Sequence, residues 1–341
     1  MASISAEREA ILQGGLCERF AVPENPQVIY RGLASSILLG VEKKTNLRVA
    51  IKALLKSRFE NEKELKQSLR EIEIHASVPR HKNVLELLYS EEQAFAITLV
   101  FPYTPDGDLW ELMRYGQTYC EKEVRNCTEQ LLSALHHVHT ANILHGDIKP
   151  HNFLLFRVDG RFAVQLCDFG FAEHPDQPGG VFTHRELKGT HGWFAPEMLA
   201  EQSHSFSLDL FGIGLILWRL LAGYAPFDPP SCFVPLEFDE RYWCHVSAPC
   251  RELVAQLLSL TPGNRGTAAQ SLQHLWLSGG EPPEPSAEVM QELAKYGAPP
   301  QTSVHFWPVG LIPSKEWQKS YANLVDAGGD ASQDELSPTS A

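Results

Sequence analysis

A short charged stretch, His145–Asn152, lies between two apolar segments and constrains the fold of this chain more than any other feature. Apolar residues between positions 131 and 138 recur at the spacing of one helix face, and Phe153–Phe156 is typical of a short buried strand. Ionised Asp and Lys side chains are rarely buried without a partner. A charged loop between a buried helix and a buried strand is a frequent position for catalytic residues.

The composition is that of a globular protein of one large or two modest domains: 341 residues, 43% hydrophobic and 21% charged. The seven cysteines have no metal-type spacing, which predicts an intracellular, cytoplasmic or nuclear, location without structural zinc. Residues 1–14 lack the apolar core of a signal peptide, and the apolar stretch Leu208–Phe227 contains Asp209 and Arg219, so no membrane association is expected. The net charge of −13 argues against nucleic-acid binding.

The segments before this loop predict strands and one helix. Residues 27–52 form extended runs separated by the polar turn Glu42–Asn46, and residues 84–101 form two more. Residues 59–78 have helical composition and period. Ala50 and Lys52 lie at the end of the extended run that follows the turn Glu42–Asn46, and they share one strand face. There a small side chain leaves room for a flat ring, and a lysine can reach phosphates.

The loop at 145–152 resembles the catalytic loop of protein kinases, whose pattern is His-Arg-Asp-Leu-x-x-x-Asn, with Gly146 in place of the usual arginine. Other kinase-like motifs follow in the family's order: Asp168-Phe-Gly170, Ala195-Pro-Glu197 and an Asp-x-x-x-x-Gly pattern that begins at Asp209. The motifs are modest individually, but their order and spacing over residues 27–278 are specific.

This resemblance implies an α+β fold of two lobes: a β-rich N-lobe with one key helix over residues 27–103, and a mostly α-helical C-lobe over residues 104–278. Residues 1–26 would be an N-terminal extension, either docked or loose. Residues 279–341 would be a Pro-containing linker and a largely disordered tail, in which a Phe-Trp-Pro segment beginning at Phe306 could dock on the domain. The C-lobe is most similar to the calmodulin-dependent and Aurora-like branches. The oligomeric state is not indicated.

The resemblance further implies that ATP and Mg²⁺ bind between the lobes and that the substrate is a protein. The implied catalytic residues are Asp147 (base or positioner of the hydroxyl), Lys149 (against the transferred phosphate), Asn152 and Lys52. The implied metal ligands are Asn152 and Asp168. Glu71 is the expected carboxylate partner of Lys52. The other implied nucleotide contacts are Gly32, Ala34, Ala50, the gatekeeper Phe101, Pro102, Thr104, Asp108 and Leu154. Asp108 is equally a candidate N-cap for a helix over Leu109–Arg114.

The glycine-rich loop is the main departure from the family pattern. Gly-x-Gly-x-x-Gly falls on residues 32–37, where only Gly32 is retained, and Ile37 would crowd the phosphates in a hairpin about two residues short. With Gly146, this favours a pseudokinase that binds partners as a scaffold. The retained set Lys52, Glu71, Asp147, Asn152 and Asp168 favours transfer to Ser or Thr. A small-molecule kinase is disfavoured by the Ala-Pro-Glu and Gly-Thr features.

The activation segment carries two further predictions. Glu186 occupies the usual activating phosphosite, and Gly146 lacks the guanidinium that would hold a phosphate, so we expect no phosphorylation requirement there; Thr183 is the nearest alternative site. His151 and Arg219 occupy positions where relatives that select basic peptides often have Glu, so no strong preference for paired arginines is expected.

Four residues of these motifs have expected structural roles. His145 and Cys167 should be packed core residues. Asp209 should bind backbone N–H groups of the catalytic loop, and Arg265 should pair with Glu197.

Overall fold

The computed structural model describes residues 15–32, 35–59, 61–113, 118–177, 179–183, 189–200, 203–228, 233–280, 286, 288–289, 291 and 306. Within these ranges an antiparallel sheet forms the N-lobe, in the order β1-β3-β4-β6-β5 with β2 also paired to β3. Its strands are β1 (Phe20–Ala21), β2 (Val28–Arg31), β3 (Ser35–Glu42), β4 (Arg48–Leu55), β5 (Tyr89–Glu92) and β6 (Ala96–Pro102).

The central hairpin of this sheet forms where the sequence predicts it. Buried and half-buried residues alternate along β3, so one face packs into the lobe and the other faces the cleft. Asn46 closes the turn with a φ of +58°, a left-handed conformation that asparagine tolerates better than most residues.

Residues 16–22 are part of the N-lobe core, although the sequence assigned them to an extension. A short helix, α1 (Leu16–Arg19), leads into β1, and Leu16, Phe20 and Val22 are buried. The Glu91 carboxylate accepts hydrogen bonds from the backbone N–H groups of Gly15 (2.9 Å) and Leu16. Of the two states left open by the sequence, this part of the segment is docked; residues 1–14 lie outside the described ranges.

One long helix, α2 (Glu62–Ser77), packs across the sheet after a 3₁₀ turn at Lys56–Arg58. Leu65, Leu69 and Ile72 contact the cluster that contains Ile97 and Leu99. The apolar stripe predicted from the 3.6-residue period therefore faces the sheet.

Helices dominate the C-lobe. They are α3 (Leu109–Met113), α4 (Glu121–Thr140), α5 (Pro196–Leu199), α6 (Ser207–Ala222), α7 (Glu240–Trp243), α8 (Ala248–Leu257), α9 (Ala268–Leu272) and α10 (Leu275–Ser278), with 3₁₀ turns at Pro150–Asn152 and Pro262–Arg265. Two antiparallel strand pairs accompany them: β7 (Phe153–Val158) with β8 (Arg161–Leu166), and β9 (Val181–Phe182) with β10 (His204–Ser205). The predicted two-lobe α+β fold is confirmed.

Helix α6 is the central helix of the C-lobe. Every residue of this helix except Arg219 is buried. The apolar run at 208–227 is thus core, as the sequence predicted. Among the residues that the structure describes, no helix has both the length and the apolar character required to cross a bilayer.

The buried pair of Arg265 and Glu197 ties the end of the activation segment to this core. The two guanidinium Nη atoms donate to the two carboxylate oxygens at 2.5 and 2.8 Å, and both side chains are almost fully buried. The predicted pair is present. Arg265 also donates to the Ser207 carbonyl, at the start of α6.

Phe306, which follows the end of α10 in sequence by many residues, packs against the C-lobe. Its backbone N–H donates to the Glu123 carboxylate at 2.6 Å, and its ring lies 5.9 Å from that of Phe162. The predicted docking is confirmed for Phe306, which is 1% exposed. The remaining two residues of the Phe-Trp-Pro segment lie outside the described ranges.

Candidate active site

Asp209 holds the catalytic loop from inside the C-lobe. Its fully buried carboxylate accepts from the backbone N–H groups of His145 and Gly146, both at 2.9 Å, and from His139 Nε2 at 2.8 Å. Burial alone would raise the pKa of Asp209, but the hydrogen bond and charge of His139 outweigh it and lower the pKa. A carboxylate on a rigid helix therefore fixes the backbone on which Asp147 is mounted.

His145 is a packed core residue, as predicted. Its ring is fully buried, and Nε2 lies 3.0 Å from the Cys167 carbonyl. The N–H of Asp147 points at Nδ1 from 3.3 Å, so Nε2 carries the proton that Cys167 accepts. Cys167 is itself buried, and burial raises the pKa of its thiol, which agrees with a small packing residue.

The two oxygens of Asp147 differ in their surroundings. Oδ2 accepts from Lys149 Nζ at 2.6 Å and from Asn152 Nδ2 at 3.1 Å. Oδ1 is buried and receives no hydrogen bond from any residue in the described ranges. Lys149 also donates to the Thr190 hydroxyl at 2.5 Å. One carboxylate oxygen is therefore oriented, while the other is left as an acceptor for a group that the protein does not supply.

Lys52, Glu71 and Asp168 meet at the interface of the lobes. Lys52 Nζ lies 2.8 Å from Glu71 Oε1 and 3.4 Å from Asp168 Oδ1. Burial alone would lower the pKa of Lys52, but the Asp168 and Glu71 carboxylates outweigh it and raise the pKa; the Lys52 ammonium in turn lowers the pKa of Asp168. The predicted pair of Lys52 and Glu71 is present, and these pKa shifts favour the charged forms of Lys52 and Asp168.

The oxygen atoms of Asp168 and Asn152 fit a magnesium site. Asp168 keeps 46% of its side chain exposed, and the Cys167 N–H donates to the Asn152 carbonyl at 2.9 Å, which keeps the two residues adjacent. The Asn152 amide nitrogen is used on Asp147, so its side-chain oxygen is the atom available to a cation. Within the described residues no group of three or more Asp, Glu, His or Cys side chains is arranged to hold a metal ion, so phosphate oxygens would have to complete the coordination.

The predicted adenine contacts lie together at the base of the cleft. Ala50 is paired with Phe101 across β4 and β6, and Phe101 and Leu154 both pack against the apolar cluster that contains Cys167. Leu154 forms an isolated bridge with Asp108, which brings the end of the interlobe linker onto β7. Pro102 is buried and Thr104 half-buried in the same linker.

Asp108 has the capping role that the sequence offered as one of two. Its Oδ1 accepts from the N–H groups of Trp110 (2.9 Å) and Glu111 (3.3 Å) at the start of α3. Burial raises its pKa, with His151 and these two donors acting in the opposite direction. His151 is exposed, and its ring stacks on that of Trp110 with 5.0 Å between the ring centres.

The hairpin in place of a glycine-rich loop is short. The Gly32 N–H donates to the Ser35 carbonyl at 2.8 Å, and β3 already begins at Ser35. Ile37, which the sequence alignment assigned to the loop, is instead a strand residue paired directly with Lys52. The early start of β3 explains the difference. Ala34 lies outside the described residues.

His75 is a site residue that sequence reasoning missed. Its ring stacks on Phe101 (5.4 Å between ring centres) and meets Phe169 in a tilted contact (4.5 Å), and Nε2 donates to the Leu85 carbonyl at 2.8 Å. Burial lowers its pKa to about 4. The signal was available, because position 75 lies one helical turn after Glu71 and therefore on the same face of α2.

The described part of the activation segment is held by a strand pair and by polar side-chain contacts. β9 pairs with β10, and the Thr183 hydroxyl donates to Asp176 Oδ2 at 2.7 Å. His204 Nε2 lies 3.3 Å from the Glu173 carboxylate. Glu186 lies outside the described residues, so the prediction about that phosphosite remains a prediction.

Comparison with known proteins agrees with this geometry. Residues 24–277 match the family described as protein kinase domain. The chain is 29% identical over 241 residues to the calcium/calmodulin-dependent protein kinase cmkA of Emericella nidulans. This match covers 68% of this chain and 57% of the relative. It is 30% identical over 251 residues to Aurora kinase B of Mus musculus (72% and 70%). It is 32% identical over 246 residues to the serine/threonine-protein kinase DCLK3 of Mus musculus (69% and 30%). The chain therefore spans only part of the length of these relatives.

Proposed function

This chain belongs to the protein kinase family, and we propose that it transfers the γ-phosphoryl group of ATP to serine or threonine hydroxyls of protein substrates. The observation that carries the proposal is the Asp147 carboxylate. Lys149 and Asn152 hold one oxygen, and the other is buried with no donor among the described residues. A substrate hydroxyl that donates to Oδ1 would have its oxygen oriented for attack on the phosphate.

Lysine side chains and oxygen ligands would bind the phosphates of the nucleotide. Lys52, oriented by Glu71, would contact the inner phosphates, and Lys149 the transferred group. Asp168 and Asn152 would hold magnesium, which neutralises phosphate charge when bound. Because these groups are fixed before the nucleotide arrives, catalysis would depend on positioning and charge stabilisation.

The adenine ring would lie between Ala50 and Leu154, with Phe101 behind it. Pro102 retains its carbonyl and Thr104 its N–H, so the linker can still offer one acceptor and one donor. Asp108 would reach the ribose or a basic substrate residue with the oxygen that does not cap α3. Gly32 and Ala34 would cover the phosphates.

We infer that the transferring unit comprises residues 27–278 and that it acts inside the cell. Cys17, Cys120, Cys127, Cys167, Cys244 and Cys250 form no disulfide with one another. Reduced thiols of this kind are usual in the cytosol and the nucleus.

A nucleotide-binding scaffold is the second candidate, and Ile37 is the observation that favours it. A branched side chain opposite Lys52 occupies space that a phosphate would approach. The loss of loop glycines hinders the close approach of backbone N–H groups to phosphate, whereas Asp147 and Asp168, which would position the hydroxyl and the metal, are retained. We therefore favour catalysis.

The test is phosphate transfer from labelled Mg²⁺–ATP to myelin basic protein, with the phosphorylated residues identified by mass spectrometry. We expect phosphoserine and phosphothreonine with the wild type, and none with Asp168→Asn purified in parallel. Absence of transfer by the wild type, with ATP binding that does not depend on Mg²⁺, would establish the scaffold. Transfer that persists in Asp168→Asn would point to a contaminating kinase.

A further inference from the structure

Arg219 is a partly buried cation without an acidic partner. It is the one residue of α6 that is not buried, and its guanidinium carbon lies 5.2 Å from the centroid of the Trp193 ring. Within the described residues it forms no salt bridge and no side-chain hydrogen bond. Burial with no neighbouring carboxylate lowers the pKa of this guanidinium.

Other arginines of the C-lobe show how unusual this is. Arg265 is paired with Glu197, and Arg251 with Glu240 at 2.6 Å. Arg125 donates to the carbonyls of Gly279 and Gly280, both at 2.9 Å. Each of these side chains donates to carboxylate or carbonyl oxygens of the protein, whereas Arg219 retains its five N–H donors for an external acceptor.

The position of Arg219 connects it to the proposed transfer site. It lines a small depression together with Gly192, Phe194, Pro226, Phe227 and Phe233. Trp193 and Phe194 line a second depression, which contains Asp147 and Thr190. Phe194 is common to both depressions, and the neighbouring Trp193 contacts Arg219 while it lines the second. A peptide that presents a hydroxyl to Asp147 would therefore have a nearby side chain within reach of Arg219.

We propose that Arg219 binds an anionic side chain of the protein substrate, at one fixed position relative to the phosphorylated residue. The proposal rests on the proposed function and names the substrate class for it. A carboxylate or a phosphate matches the planar fork of a guanidinium, and the Trp193 ring already holds that fork in place.

The net charge of the molecule opposes the approach of anionic peptides, so Arg219 would have to recognise them through short-range contact. With a net charge of −13, the chain repels acidic peptides at long range, so selection must come from direct contact. Stacking on Trp193 alone would be a structural role, in which case charge reversal at Arg219 would change stability but not substrate choice.

The experiment is a positional peptide array with a central serine, in which each flanking position is varied through Asp, Glu, phosphoserine, Gln, Lys and Arg. Wild type, Arg219→Gln and Arg219→Glu are compared, with Arg241→Glu as the control. Arg241 is an exposed arginine on α7 that pairs with Asp239, so it matches the change in charge at a distance. Thermal denaturation of each variant verifies folding, and Arg219→Gln serves if Arg219→Glu is unfolded.

We expect the wild type and Arg241→Glu to phosphorylate peptides with an anion at one position at least about tenfold faster than the Gln peptide. Arg219→Gln should remove this preference, and Arg219→Glu should replace it with Lys or Arg at the same position. Comparison of the rates for peptides with Asp or Glu and for peptides with phosphoserine shows whether a carboxylate or a phosphate is the group recognised. A wild type without an anionic preference, or a preference that survives in Arg219→Gln, overturns the proposal.

A second readout separates this proposal from the proposed function. If the wild type phosphorylates no peptide, the proposed function fails, and the same array is probed with fluorescently labelled protein in the absence of ATP. Retention on anionic peptides by the wild type and Arg241→Glu, but not by Arg219→Gln, would support the Arg219 site. Equal retention of all three proteins would refute it.

Discussion

Gly146 has a φ of +78°, and a Cβ at this position would lie 2.7 Å from the Phe171 carbonyl oxygen. Gly160 has nearly the same φ, +75°, but no atom lies within 4 Å of its Cβ position. We expect Gly160→Ala to lower the free energy of unfolding by about 1 kcal/mol through the left-handed conformation alone. Gly146→Ala should cost at least about 1 kcal/mol more, because backbone must move. Urea denaturation of both variants measures this, and equal losses would contradict the account.

His75 makes stability depend on pH. Its folded-state pKa of about 4 is below the ordinary 6.5, so the unfolded chain takes up the proton first, and stability falls as the pH drops from about 6.5 to about 4. At about 1.4 kcal/mol per pKa unit, the full loss is about 3 kcal/mol.

His75→Leu should flatten this acid limb in denaturation curves measured between pH 4 and 7. His81, whose pKa burial also lowers to about 4, acts in both proteins and cancels in the comparison. An unchanged acid limb in His75→Leu would show that other groups govern acid stability.

At the level of residues, the sequence predicted which residues form the site better than it predicted the contacts around each side chain. Lys52 and Glu71 are paired as the resemblance to kinase motifs implied, since that resemblance specifies which two residues meet. The inequality of the two Asp147 oxygens depends on where Lys149 and Asn152 point, and no spacing rule gives that direction. The surroundings of His75 likewise depend on a strand and a loop that are distant in the chain.

Among the structural elements, the Arg265–Glu197 pair joins the 3₁₀ turn at Pro262–Arg265 to α5. Arg265→Met should cost about 3–5 kcal/mol, because it leaves a buried carboxylate without its partner. The double variant Arg265→Met/Glu197→Met should cost less than the single variant, since no charge is then left buried. Chemical denaturation of the set tests this. A double variant less stable than Arg265→Met would show that the pair contributes more than its desolvation removes.

The β9–β10 pair and Thr183 make the activation segment sensitive to charge. Thr183→Glu places a carboxylate beside Asp176, so the segment should be cleaved faster in limited proteolysis. Thr183→Val, which removes only the hydroxyl hydrogen bond, should have an intermediate effect. If Thr183→Glu is as resistant as the wild type, the segment does not depend on the contact with Asp176.

Long elements were predictable, and short ones were not. The period of α2 and α4 extends over several turns, which is enough for the sequence to show which face is buried. β1, β9 and β10 contain two residues each, and a pattern of period two has no meaning over that length. The early start of β3 was missed because turn composition does not fix where strand pairing begins.

For the whole molecule, the order of motifs predicted the two lobes, because residues far apart in sequence must meet to form one site. Lys52 Nζ on β4 lies 3.4 Å from Asp168 Oδ1 after β8, which is one of the contacts that join the lobes. The docking of Phe306 was predicted only as an option, since its partners Glu123 and Phe162 are not specified by any local pattern.

The most direct test of the account is the rate of phosphate transfer to a protein substrate by wild type and Asp147→Asn, with ATP affinity measured in parallel. We predict a rate at least about 100-fold lower in Asp147→Asn with unchanged ATP affinity. The neutral amide can still accept a hydrogen bond, but it is too weakly basic to take the proton of the substrate hydroxyl. Equal rates in the two proteins would contradict the assignment of Asp147.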